Sequence, residues 1–124
     1  MKLFWALALS GVLTGCALQP ERVTSMDQVV FLTRDGCMNT AIMRANLDVA
    51  LKTMGLSSDY QVVDLATLNA DDPRTGYPTP TVLYRNADVF GSPAPTPPFP
   101  EPTWRFFPDG VPSAEAIQAA LTQR

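Results

Sequence analysis

The strongest constraint on this chain is a strand–helix–strand pattern near its middle. Val29-Val30-Phe31-Leu32 is a short apolar run rich in β-formers, stopped by Thr33-Arg34-Asp35-Gly36, and it reads as a buried strand. After Cys37, either Asn39 or Thr40 can cap a helix running to about Met54. Within it, Ile42, Met43, Leu47, Ala50, Leu51 and Met54 recur at spacings of three and four and predict one apolar face. Gly55 supplies a left-handed stop. A second strand follows at Tyr60-Gln61-Val62-Val63-Asp64. A strand, a helix and a strand of these lengths make a βαβ unit with parallel pairing and a right-handed crossover.

The rest of the chain adds antiparallel elements. Leu65-Ala66-Thr67-Leu68 reads as a helical turn, and residues 69–76 (NADDPRTG) as loop. Thr81-Val82-Leu83-Tyr84 is a third strand, Arg85-Asn86-Ala87 a tight turn, and Asp88-Val89-Phe90 a short fourth strand, together a hairpin. Most of the twelve prolines crowd the stretch from Pro78 to Pro108, where extended irregular backbone is expected. Trp104-Arg105-Phe106-Phe107 reads as a short edge strand. Ser113 caps a last helix, with Glu115 in its first turn and Ile117 and Leu121 on one face.

The first residues belong to a different regime. Met1-Lys2 is followed by eleven residues, Leu3 to Leu13, that are almost wholly apolar. That run is too short for a bilayer, which needs about 20 apolar residues, and has the length of a signal-peptide core. Leu13-Thr14-Gly15-Cys16 has the form of a lipobox. Residues 1–15 are therefore expected to be a cleaved lipoprotein signal, with Cys16 acylated and residues 16–27 a polar, lipidated tether. An ordinary secretory signal with an incidental cysteine is the alternative. Residues 28–124 form one domain, since single domains commonly run to roughly 100–150 residues. Ala17 after the lipidated residue points to the periplasmic face of the outer membrane in a Gram-negative host, and in any host to the cell envelope.

Composition narrows the chemistry. A net charge of −3 with no basic patch argues against a nucleic-acid partner. The absence of histidine excludes Ser-His-Asp and Cys-His catalysis within the chain. With Cys16 taken by lipid, Cys37 is left as a single thiol with no partner for an internal disulfide. The residues imply no cofactor and no metal site, and a monomer is expected. Met43 and Met54 read as core, and Asp71 and Asp72 as a solvated loop.

The order βαβ, ββ, α together with Asp35-Gly36-Cys37, Asn39-Thr40, Pro80-Thr81, Leu83 and Asp88-Val89-Phe90-Gly91 resembles a small bacterial thioredoxin-like family. Its members are sometimes labelled relatives of organomercurial lyase. The resemblance spans about residues 29–121 and implies an α/β, thioredoxin-like three-layer fold. It also implies that Cys37 opens the first helix at the active-site position, with Cys-x-x-Thr ending at Thr40. It further implies that Pro80 follows a cis peptide bond and faces the cysteine. Thr79, Trp104 and Arg105 are then candidate binding residues. Met38 stands where relatives often have proline, and Trp104-Arg105 where many have Cys-Arg, which removes a second thiol.

A cysteine at a helix N-terminus should carry a lowered pKa, with Arg34 adding to the effect, Asp35 opposing it, and Thr40 able to donate only a hydrogen bond. Three functions follow as expectations. One is a monothiol redox role in the cell envelope, completed by an external thiol or protein disulfide. Another is a non-catalytic binding module on the same scaffold, with Cys37 packed quietly. The third is capture of mercury or another soft metal by the thiolate. Whether the chain is an enzyme stays open. Trp104, Phe106 and Phe107 either line a groove or cover the core.

Overall fold

The computed structural model describes residues 28–123. The segment expected to be a signal, Cys16 and the expected tether lie outside the described residues. The first apolar run forms β1, Val29–Thr33, and its side chains alternate between two buried faces. Val29 and Phe31 enter one core cluster, Val30 and Leu32 the other. A strand buried on both faces must be central, and β1 is. It pairs in parallel with β2, Gln61–Asp64, and antiparallel with β3, Thr81–Tyr84. A two-residue β4, Ala87–Asp88, completes a four-stranded mixed sheet of order β2-β1-β3-β4. The fold is thus α/β with a βαβ unit followed by a hairpin.

The crossover between β1 and β2 is α1, Thr40–Thr53. Met43, Leu47, Ala50 and Leu51 are buried, at the spacing that puts them on one stripe. Ile42 is not among them: it is 53% exposed. At 3.6 residues per turn it falls a quarter turn off the arc that Met43, Leu47 and Ala50 define. Asn39 occupies the N-cap position, but its backbone is helical and its side chain caps nothing. The helix ends as its glycine predicts. Gly55 has φ +76°, its N–H reaches Lys52 O at 3.0 Å, and Leu56 N–H reaches Leu51 O at 2.8 Å, the paired bonds of a Schellman stop.

The last helix, α2, spans Ala114–Thr122, and the Ser113 hydroxyl accepts the Ala116 N–H at 3.1 Å. Ile117, Ala120 and Leu121 join the cluster that α1 enters, so both helices lie on one side of the sheet. Asn46 on α1 clips them together by donating to Pro112 O at 2.8 Å.

The opposite face is closed differently. Val30, Leu32, Val63, Leu65, Tyr77 and Leu83 are covered by two 3-10 turns, Leu65–Thr67 and Pro73–Gly76. The first turn was expected. The second lies where plain loop was expected, and its cause is local. The Asp72 carboxylate accepts the Arg74 N–H at 2.9 Å and Pro73 presets the first residue. The third layer therefore consists of turns and loop rather than α-helix among the described residues.

Gly76 in this layer has no room for a side chain. A Cβ there would lie 2.5 Å from Pro95 Cβ. The pyrrolidine cannot swing away, so Gly76→Ala is expected to lower the unfolding free energy by about 1–3 kcal/mol, measured by urea denaturation.

The hairpin is tighter and shorter than its sequence suggests. Arg85 and Asn86 both take positive φ, 55° and 67°, the signature of a two-residue type I′ turn. Beyond Asp88 the ladder stops, although Val89 N–H still reaches Val82 O at 3.0 Å. The reason is the Asp88 carboxylate, which accepts N–H groups from Phe90 and Ser92 at 3.1 Å each and turns the chain away. The edge strand expected at residues 104–107 is a single parallel bridge, Thr79 to Trp104. Pro102 and Pro108, which have no N–H, bound it on either side.

Candidate functional site

The site sits where β1 ends. Gly36, at φ +84°, turns the chain so that Cys37 follows immediately. Cys37 is half-buried. It lies two positions ahead of the α1 N-cap Asn39, in the turn that leads into the helix. Its N–H donates to Arg34 O and its C=O accepts from Thr40 N–H, both at 3.3 Å. The side chain is thus held by a turn rather than by the helix.

The sulfur faces the residue that the sequence singled out. Cys37 Sγ lies 3.6 Å from Thr79 O, to which the thiol donates. The Thr79–Pro80 peptide bond is cis. Thr79 itself is completely buried. Thr40, from the same predicted set, does not reach the sulfur. Its hydroxyl bonds the Thr33 hydroxyl at 2.8 Å rather than the sulfur. Thr33 ends β1, so this bond ties strand to helix.

A strap from the proline-rich segment covers the far side of Thr79. Thr79 N–H donates to Thr103 O at 3.2 Å, and Arg105 N–H donates to Thr79 O at 2.7 Å. Thr79 O therefore receives both the thiol and the strap. Trp104 stands between these two bonds, 56% exposed, and its Cη2 atom is 4.0 Å from where a Cβ on Gly36 would lie. The ring thus flanks the turn that carries Cys37. Phe106 is 81% exposed, whereas Phe107 packs on the helix-side core. Of the three aromatics, only Phe107 covers the core.

Arg105 is placed in the site by sequence, but its guanidinium points elsewhere. It forms an ion pair with the buried Asp88 at 2.9 Å and donates to Thr81 Oγ1 at 3.1 Å and to Ser92 Oγ at 3.3 Å. It also lies over the Phe107 ring, 5.7 Å from the centroid. Thr81 in turn donates to Pro78 O. Sequence reasoning missed Asp88 and Thr81 as the partners that hold the strap. The available signal was a lone acid entering the apolar run Val89-Phe90.

The other polar clusters lie away from Cys37. Just before β2, burial and donation to Asp48 of α1 at 2.7 Å push the Tyr60 phenol pKa up, and Arg44 of α1 is raised by its bond to the same hydroxyl. Arg74 holds the Asp72 carboxyl below its ordinary range in a half-buried pair. Burial raises Tyr77. Among the described residues no three of His, Cys, Asp or Glu gather into a cluster, and no helix is long and apolar enough to cross a membrane.

The arrangement amounts to the thiol of a half-buried cysteine, a turn that presents it, and a carbonyl on a buried residue that accepts its hydrogen bond. Such a group can exchange with disulfides once it ionises. Comparisons with protein-family models, curated proteins and solved structures find no match to this chain.

Proposed function

We propose that this chain is a thioredoxin-like monothiol protein of the cell envelope, anchored through an acylated Cys16 on the extracytoplasmic side of a membrane. The lipobox and the apolar leader support the anchor, and Ala17 supports the outer membrane in a Gram-negative host. The sheet order and the hairpin support the thioredoxin-like reading. One observation carries the redox role: the sulfur of the half-buried Cys37 lies 3.6 Å from the carbonyl oxygen of Thr79, the residue before Pro80.

The chemistry is thiol–disulfide exchange. Cys37 loses its proton to water, and the thiolate attacks one sulfur of a disulfide R–S–S–R. A Cys37–S–S–R bond forms as the S–S bond of the disulfide breaks, the other half leaves as RS⁻, and that thiolate takes up a proton. With no second thiol in residues 28–124, an outside thiolate must attack the mixed disulfide. It restores Cys37 and carries R away as a new disulfide. Electrons pass from the outside thiol to the original disulfide, and the protein returns unchanged.

A second reading has its own support. Thr79 O takes the Cys37 proton and the Arg105 N–H together, so the sulfur also serves as a structural donor. On that reading the domain is a scaffold that binds a partner without turnover.

A single experiment separates them. The lipidated chain, extracted from membranes in detergent, is treated with iodoacetamide folded and in urea, and its mass is read. The redox reading expects lipid on Cys16 and alkylation of folded Cys37 within about tenfold of the unfolded rate, lost in Cys37→Ser. Complete protection of folded Cys37 overturns it and leaves the scaffold.

A further inference from the structure

Tyr77 carries a polar group that nothing in the fold uses. Its ring packs in the turn-side core with Leu83, and the residue is 5% exposed. A buried phenol ordinarily finds a hydrogen-bond partner. Tyr60, the other buried tyrosine among the described residues, donates to Asp48. The Tyr77 hydroxyl makes no hydrogen bond among the described residues. It is not sealed off either. Arg34 Nε and Thr79 Oγ1 are the unpartnered side-chain atoms that solvent cannot reach there, and Tyr77 Oη is not one of them. An oxygen that meets solvent from so well covered a ring does so through an opening beside it.

That opening is a cleft of about 270 Å³ between the 73–76 turn, the hairpin and the proline-rich segment. Buried Tyr77 and Leu83 make its floor, and the more exposed Pro73, Ala94 and Pro95 its walls. Gly76 backs Pro95 so closely that even a Cβ would not fit between them, which fixes that wall. An apolar cavity of about 150 Å³ holds benzene, and drug-sized ligands take about 300–1,000 Å³. The cleft therefore has room for one substituted ring.

Charge narrows the class. Arg74 and Asp72, at the rim, are paired with each other at 2.9 Å. Asp88, the acid whose charge acts on Tyr77, is paired with Arg105 at 2.9 Å. No unbalanced charge is left to hold an ion. Burial, with the Asp88 charge behind it, raises the Tyr77 pKa, so the phenol stays protonated and can donate or accept. Asn86 stands exposed at the mouth, held at φ +67° by the hairpin turn. Its amide also makes no hydrogen bond among the described residues. The cleft thus has one open polar group at its floor, another at its mouth, and apolar walls between. The electron-rich faces of an aromatic ring suit the C–H groups of two prolines.

We propose that this cleft binds a small uncharged aromatic molecule, its ring between Pro73 and Pro95 and its polar groups on the Tyr77 hydroxyl and the Asn86 amide. Such binding does not involve Cys37, so it stands or falls apart from the redox reading.

The test titrates the full lipidated chain in detergent with three probes of like size: para-hydroxybenzamide, para-hydroxybenzoate and cyclohexanecarboxamide. Amide NMR shifts are followed residue by residue. para-Hydroxybenzamide is expected to give saturating shifts at Arg74, Tyr77, Leu83 and the Asn86 side-chain amide, while Ser57 and Gln118, outside the cleft, stay still. Its Kd should be about 1–10 mM, as so few atoms allow. The other two should bind at least about fivefold more weakly, one bringing an unpaired charge and the other lacking a ring face. Tyr77→Phe keeps the packed ring and removes a hydroxyl that bonds nothing in the protein. Its unfolding midpoint should be unchanged and its Kd raised about fivefold, the loss of one neutral hydrogen bond. Asn86→Gly keeps the left-handed turn and should weaken binding in the same direction. Equal or unsaturable shifts for the three probes, shifts spread beyond the cleft, tightest binding of the anion, or an unchanged Kd in Tyr77→Phe would each overturn the inference.

Discussion

Arg105→Ala is expected to lower the unfolding free energy by about 3–5 kcal/mol, read from urea denaturation, because it strands a charge in the interior. The Asp88 side chain has no solvent exposure, and Arg105, itself 12% exposed, is its ion-pair partner at 2.9 Å. The two backbone N–H groups that Asp88 accepts, from Phe90 and Ser92, remain, but they do not neutralise it. A double variant, Asp88→Asn with Arg105→Gln, removes both charges and keeps an acceptor oxygen at position 88. Its loss should be well below that of Arg105→Ala, since deleting both members of a buried pair avoids the orphaned charge. Equal losses in the two variants would show that packing on Phe107, not charge, is what Arg105 contributes. The pair also sets the strap, because Arg105 donates to Thr79 O from its backbone while its side chain reaches β4. The stability of a surface-lying segment and the surroundings of Cys37 thus depend on one buried interaction.

Phe31→Ala is expected to cost about 3–5 kcal/mol by the same measurement. Phe31 is fully buried in the middle of the central strand, opposite Val62 on one side and Val82 on the other. Its ring lies 6.5 Å from that of Tyr60 and shares a cluster with Met43, Leu47 and Ile117. No neighbouring strand can move in to fill the void, because both are pinned by the ladder. A domain with about 5–15 kcal/mol of total stability would then be partly unfolded at growth temperature. A loss under 1 kcal/mol would mean that the helices collapse onto the gap, contrary to rigid packing.

What could be read in advance follows the range of the interactions involved. Val29-Val30-Phe31-Leu32 and Thr81-Val82-Leu83-Tyr84 were legible as strands because burial on both faces leaves an unbroken apolar run. Gly55 and Ser113 were legible as helix ends because a positive φ and a hydroxyl cap act within a few residues. Cys37 could be placed opposite Thr79–Pro80 by resemblance, and the sulfur does lie against Thr79. Ile42 was misplaced because a continuous apolar pattern does not say where a buried arc stops.

The errors around the site share a cause. Thr40 was assigned to the sulfur, but its hydroxyl meets Thr33 seven residues earlier. Arg105 was assigned to binding, but its guanidinium meets Asp88 and Thr81 across the strap. The fourth strand was drawn to Phe90, but the buried Asp88 carboxylate captures two N–H groups and ends it.

Sequence by itself determined the order of the elements, the parallel βαβ unit and the single cysteine of residues 28–124. Each depends on periodicity, on caps, or on counting, which a linear chain carries within a turn or two. Tertiary structure alone decided which partner each polar side chain near Cys37 would find. Buried donors and acceptors must be paired wherever the fold brings them together, and those meetings join residues 7, 17, 24 and 42 positions apart.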